Sequence, residues 1–131
     1  MIYEVIDQPK RIETALLDSA VSFACEYLQL DVDLIVEFDT LQKHQCGYCD
    51  YEEGEVIVTI AKRLSKKEAV QTLFHELVHA KQYIEGRLED GYKWLGKVYE
   101  DDYRKLPWEV EAFDLEEKMM EAFYGGNQSI A

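Results

Sequence analysis

The run His75-Glu76-Leu77-Val78-His79 sets two imidazoles four residues apart, with a carboxylate directly after the first. On an α-helix such a pair projects from one side, about 40° apart, as two ligands of one tetrahedral Zn²⁺ require. Glu76 would sit beside the open coordination position. There it can take a proton from a metal-activated water and pass it to the leaving group. The surrounding pattern agrees with this placement. With Leu77 at 0°, Val70, Leu73, Ala80 and Ile84 fall within roughly 60° of it, and His75 and His79 lie near 160° and 200°. The helix is expected to be apolar on one side and metal-liganding on the other.

Two imidazoles do not make a catalytic site, which generally uses three protein ligands and a water. No histidine follows His79, so the third donor should be a carboxylate from a later element. The run Leu106-Pro107-Trp108-Glu109-Val110-Glu111-Ala112-Phe113-Asp114 offers candidates. If Trp108, Ala112, Leu115, Met119 and Phe123 form the inward stripe of a helix, Glu109 lies about 60° from its centre and Glu111 about 100° away on the other side. Glu109 is therefore nearer the packed face. Glu111 suits solvent or a supporting contact, and Glu116, one turn further on at about 40°, could support the site. Tyr92, Tyr99 and Tyr103 lie between the two motifs, and any of them could give an O–H to an oxyanion, although packing is the commoner use of a tyrosine.

These residues carry a resemblance. The chain resembles the minimal gluzincins, zincin-type metallopeptidases with a His-Glu-x-x-His helix and a glutamate on a later helix. Glu109-Val110-Glu111-Ala112 is similar to the Glu-x-x-Ala of ImmA/IrrE-type peptidases, and Leu106 to Ala112 looks like small phage-encoded members. The resemblance covers mainly residues 55 to 120. It implies Glu109 as the third ligand, one catalytic Zn²⁺, and a core of helix, small sheet, active-site helix and ligand helix. The Asn-Phe-Ala pattern that follows this alanine in repressor-cleaving members is absent here, so a repressor substrate is not implied.

The elements that must position these groups can be read in order. Ile12, Leu16, Ala20, Phe23 and Tyr27 recur at helical spacing and predict a helix within 10–30. Val32 to Phe38 and Glu55 to Ile60 read as strands, with 40–54 a loop or the rising arm of a hairpin. Ser65 with Glu68 forms a capping-box signature and predicts a helix from Lys66 to Glu85, ended by Gly86. Residues 86–106 show no single period, and an irregular connection with a short helix at 94–99 is expected. Pro107 suits the first turn of a last helix to about Tyr124, with 124–131 a loose tail. The expected fold is α+β and zincin-like, three main helices on a small, mostly antiparallel sheet, in one domain spanning 1–131.

Composition excludes other classes. A net charge of −13, from 27 acidic and 14 basic residues, has the wrong sign for neutralising phosphates. No apolar run approaches the roughly 18 residues of a membrane span, and no signal-peptide pattern opens the chain. Three cysteines form no disulfide framework. A soluble, cytoplasmic monomer acting on a peptide or protein is expected. His44, Cys46 and Cys49 are three soft donors within six residues, but without a fourth ligand a hairpin turn with buried thiols is favoured over a second zinc. The reading is hydrolysis of a peptide bond with Glu76 as base and acid. Its rival is a catalytically silent protein on the same scaffold that binds a partner, against which the presence of Glu76 argues.

Overall fold

The computed structural model describes residues 2–90, 93–100 and 102–128. The chain runs β1 (Tyr3–Ile6), α1 (Thr14–Leu28), β2 (Asp33–Asp39), β3 (Gly47–Glu52), β4 (Glu55–Ala61), α2 (Lys66–Ile84), β5 (Leu88–Glu89), β6 (Lys93–Trp94), β7 (Lys97–Val98), a 3-10 turn (Tyr103–Lys105) and α3 (Pro107–Gln128). This is an α+β arrangement with three α-helices, as expected.

The main sheet has the order β1-β2-β4-β3. β1 pairs parallel to β2, β2 parallel to β4, and only the β3/β4 hairpin is antiparallel. The expected antiparallel character thus holds for this hairpin and for the second sheet, whereas the main sheet is mixed. The reason lies in its connections: α1 separates β1 from β2, and a crossover of that length returns the chain in the same direction. β1 itself escapes a periodicity reading because it is only four residues long. Leu34, Val36 and Phe38 of β2 and Val56, Val58 and Ile60 of β4 are buried and form the floor of the core.

α1 begins later than expected because residues 9–12 form a turn, closed by Ile12 N–H on the Pro9 carbonyl at 3.1 Å. Its inward stripe is Leu17, Ala20, Val21, Ala24, Cys25 and Leu28, while Tyr27 is exposed. Gln29 in the left-handed conformation ends it, with Leu30 N–H on the Cys25 carbonyl at 2.8 Å.

α2 is the central element. Glu68 N–H donates to Ser65 Oγ at 3.2 Å, and Ser65 N–H donates to Glu68 Oε1 at 2.9 Å, which completes the capping box. Arg11 fastens the approach to this helix through the carbonyls of Lys62 and Leu64. From Thr72 to Ala80 every residue is buried. The side expected to carry the metal ligands is therefore enclosed as well, by α3 and β3, and of the expected apolar stripe Ile84 is left exposed.

The expected short helix at 94–99 is absent. In its place β5, β6 and β7 form a small antiparallel sheet. The cause is local: Leu95 at φ 50° and Gly96 at φ 84° put two successive residues in the left-handed region, the requirement of a two-residue hairpin turn and not of a helix. Trp94, Leu88, Leu106 and Trp108 make a second apolar cluster beneath it.

α3 starts with Pro107, as expected, and buries Trp108, Ala112 and Met119. It does not stop at Tyr124. It continues through Gly125 and Gly126 to Gln128, since glycine lowers helix stability by about 1 kcal/mol without forbidding the conformation; residues 129–131 of the expected tail lie outside the described ones. Phe23 of α1, Phe74 of α2 and Phe123 of α3 join the three helices, with ring centroids 5.3–5.7 Å apart. No helix among the described residues is long and apolar enough to cross a membrane.

Candidate metal centre

α2 and α3 bring three donors together. His75 and His79 leave α2 on adjacent turns, and Glu109 leaves the first turn of α3, whose start is set by Glu109 N–H and Val110 N–H on the Leu106 carbonyl, each at 2.9 Å. His75 Nε2 lies 2.8 Å from Glu109 Oε1, His79 Nε2 lies 3.1 Å from the same oxygen, and the two Nε2 atoms are 3.2 Å apart. Among the described residues, this is the one group of three or more such side chains placed to hold a metal ion. Glu109, which the helical wheel put nearer the packed face, is thus the carboxylate that meets both imidazoles.

Glu111 is not. It turns away to accept from Arg87 Nη1 at 2.8 Å and from Gln82 Nε2 at 3.1 Å. Glu116 stands behind the first imidazole, 2.7 Å from His75 Nδ1. An ionised carboxylate only accepts, so Nδ1 donates to it and a neutral His75 carries its lone pair on Nε2, facing Glu109.

Charge is out of balance in this pocket. Glu76, Glu109 and Glu116 are 7%, 5% and 5% exposed, and no lysine or arginine pairs with any of them among the described residues. Buried carboxylates without compensation are costly. In the protein alone, protons on the imidazoles are the compensation that remains. Burial opposes the charged form of His75, but hydrogen bonds to Glu109 and Glu116 and the nearby Glu76 outweigh it and raise its pKa to about 9. His79 is raised against the same burial by Glu109 and Glu76. Burial favours neutral Glu109, yet bonds from the two imidazoles pull it down to about 2. A divalent ion would take over the role of those protons. Apparent affinity for a divalent metal should therefore climb as pH rises towards 9, and binding at pH 7 should release at least one proton. Calorimetric titration in two buffers of different ionisation enthalpy counts them, and a count of zero contradicts the assignment.

Glu76 lines the same cleft and makes no hydrogen bond or ion pair among the described residues. Burial raises its pKa, partly offset by His79 and His75, to about 6. The cleft has a volume of about 980 Å³. One wall is β3, the edge strand of the main sheet, through Gly47, Tyr48 and Cys49. Gly47 lets this strand lie close to α2: a Cβ there would be 2.5 Å from the Thr59 carbonyl oxygen and 2.7 Å from Thr72 Cγ2. Gly47→Ala should consequently cost about 1–3 kcal/mol of stability, as overpacking does; an unchanged denaturant midpoint would show that the strand is free to shift.

The tyrosines divide. Tyr103, on the 3-10 turn, is exposed overall but lines the cleft, and desolvation of its hydroxyl together with Glu109 and Glu76 pushes its pKa up. Tyr99 packs edge-on against Trp108 at 6.0 Å, within the second apolar cluster. Tyr92 lies outside the described residues. His44 and Cys46 are exposed and Cys49 is half-buried, so the expected buried thiols are not found at Cys46, and the three do not converge as metal donors. Cys25 is buried in α1.

Gln82, Tyr83 and Phe113 belong to the site and were not anticipated. Gln82 accepts from His79 Nδ1 at 2.8 Å, and Phe113 packs on His75 with centroids 4.6 Å apart. Helical spacing could have found two of them, because Gln82 is three residues beyond His79 and Phe113 four beyond Glu109.

Comparison with known proteins decides little further. No family model matches the chain, and no curated protein is similar to it. The case for function rests on the geometry alone.

Proposed function

We propose that the protein is a zinc-dependent peptidase of the gluzincin kind. The observation that carries this reading is a buried Glu76, without a hydrogen-bond partner among the described residues, beside a convergent His75, His79 and Glu109. The donor set fits zinc. Metal–ligand distances of 2.0–2.1 Å in a tetrahedron imply ligand–ligand edges of about 3.3–3.4 Å, and the three edges here are 2.8, 3.1 and 3.2 Å. Two nitrogens and one carboxylate oxygen from separate helices also match the ligand types of zinc hydrolases, which keep one position open.

Bound there, zinc supplies Lewis-acid polarisation of a carbonyl and lowers the pKa of a water. His75, His79 and Glu109 hold it. Glu76 takes the proton from the attacking water and delivers it to the departing amine; a pKa raised to about 6 suits a group that must accept and then donate near neutrality. Tyr103, which lines the cleft, is a phenol that can donate to the developing oxyanion. The free edge of β3 supports a peptide lying extended along the cleft, held by backbone pairing.

The test is metal content of protein prepared without added metal, paired with digestion of a peptide library by the zinc-loaded wild type and Glu76→Gln. Stoichiometric zinc with cleavage by wild type alone is expected. Zinc without cleavage would leave a binding protein on this scaffold, and no divalent metal at all would remove the site.

A further inference from the structure

We propose that Gln82 is the positioning residue of the second imidazole: Glu111 and the Trp108 carbonyl lock its amide in one orientation, and that orientation directs the His79 Nε2 lone pair at the metal position. The inference rests on the metal centre described above but concerns residues outside the ligand set.

Gln82 is fully buried at the end of α2. Its Nε2 lies 3.0 Å from the Trp108 carbonyl oxygen and 3.1 Å from Glu111 Oε1. Both partners accept and neither donates, so the amide NH₂ must face them, and each takes one of its hydrogens. Oε1 is then left for His79, 2.8 Å from Nδ1. A carbonyl oxygen cannot donate, so Nδ1 carries the hydrogen and the neutral ring has its lone pair on Nε2.

The reverse orientation is disfavoured twice over. It would set the amide oxygen against a carbonyl and a carboxylate. It would also set the NH₂ against Nδ1, moving the ring hydrogen to Nε2, where it would occupy the position a metal needs. Glu111 is itself held: Arg87 Nη1 donates to its Oε2 at 2.8 Å, and Arg87 is fixed by Glu85 at 2.7 Å and by the Trp94 ring at 5.0 Å. The two imidazoles are therefore set by different devices. His75 faces a carboxylate, which can only accept, whereas His79 faces an amide whose direction needs a lock.

Zinc affinity, measured by competition with a chromophoric chelator at a temperature where each protein is folded by circular dichroism, tests the proposal without reference to activity. Gln82→Met should weaken zinc by about 10- to 100-fold, the usual cost of removing a group behind a ligand. Glu111→Ala should weaken it less, in the same direction, because the Trp108 carbonyl still holds one amide hydrogen. The ¹⁵N spectrum of the zinc-loaded wild type should show a slowly exchanging Nδ1 proton on His79 that exchanges quickly in Gln82→Met. Any result other than an affinity loss in both variants overturns the lock, and if Gln82→Met does not fold, Glu111→Ala within twofold of wild type overturns it alone. Wild type that binds no zinc overturns the metal centre itself.

Discussion

Glu76→Gln should bind zinc as wild type does and hydrolyse peptides about 10²–10⁴-fold more slowly, the range lost with a positioned acid–base group. The amide keeps the size of the side chain but can no longer accept a proton. The same substitution should stabilise the metal-free protein. Glu76 has its pKa raised to about 6 by burial, against an ordinary value near 4.3. An acid whose folded pKa is raised favours folding while protonated, below its unfolded pKa, and that contribution is lost as pH rises through the folded value. The ionised carboxylate thus costs the native state about 2 kcal/mol above pH 6. The substituted amide never ionises, so denaturant unfolding of the metal-free variant should show a gain of that size at pH 8 and none at pH 4. A stability loss at both pH values would mean that Glu76 has a partner in the native state. Retained hydrolysis would take it out of the proton-transfer role.

Glu109→Gln should lose zinc by far more than the roughly 10- to 100-fold expected for a group behind a ligand, because it removes the one charged donor that meets both imidazoles. The contrast with Glu111 makes this decisive. The two glutamates are two residues apart on one helix, yet Glu111 is committed to Arg87 and Gln82. Chelator competition on both variants should separate them by at least tenfold if Glu109 is a ligand and Glu111 a support; equal losses would void the assignment. Removing the Glu109 charge should also destabilise the metal-free protein at neutral pH, because the imidazoles that hold its pKa at about 2 lose their counter-charge.

The placement of His75, Glu76 and His79 on one helix could be read from the sequence because a helix converts spacing into direction. Two histidines four apart and a capping box at Ser65 place both rings on one side of α2 before any tertiary contact exists. Glu109 was less sharply legible, since only a helical wheel, with Pro107 taken as the helix start, set it nearer the packed face than Glu111. Local signals misled where the chain's direction or turn chemistry decided the outcome. The parallel pairing of β1 with β2 depends on where α1 returns the chain, that of β2 with β4 on the chain first forming β3 at the far edge, and the β6/β7 hairpin on Leu95 adopting a left-handed φ that a leucine does not announce.

What the sequence determined by itself is thus the local part: which helix carries the imidazoles, which face they share, and which carboxylate lies at the edge of the next apolar stripe. What only the tertiary structure decided is the convergence. Burial of three carboxylates that pair with no lysine or arginine among the described residues, the 2.8 Å approach of Glu109 to His75, and the alignment of Gln82 behind His79 all arise between α2 and α3. Helical periodicity sets directions within one element, but the distance and charge balance between two elements depend on how their faces pack.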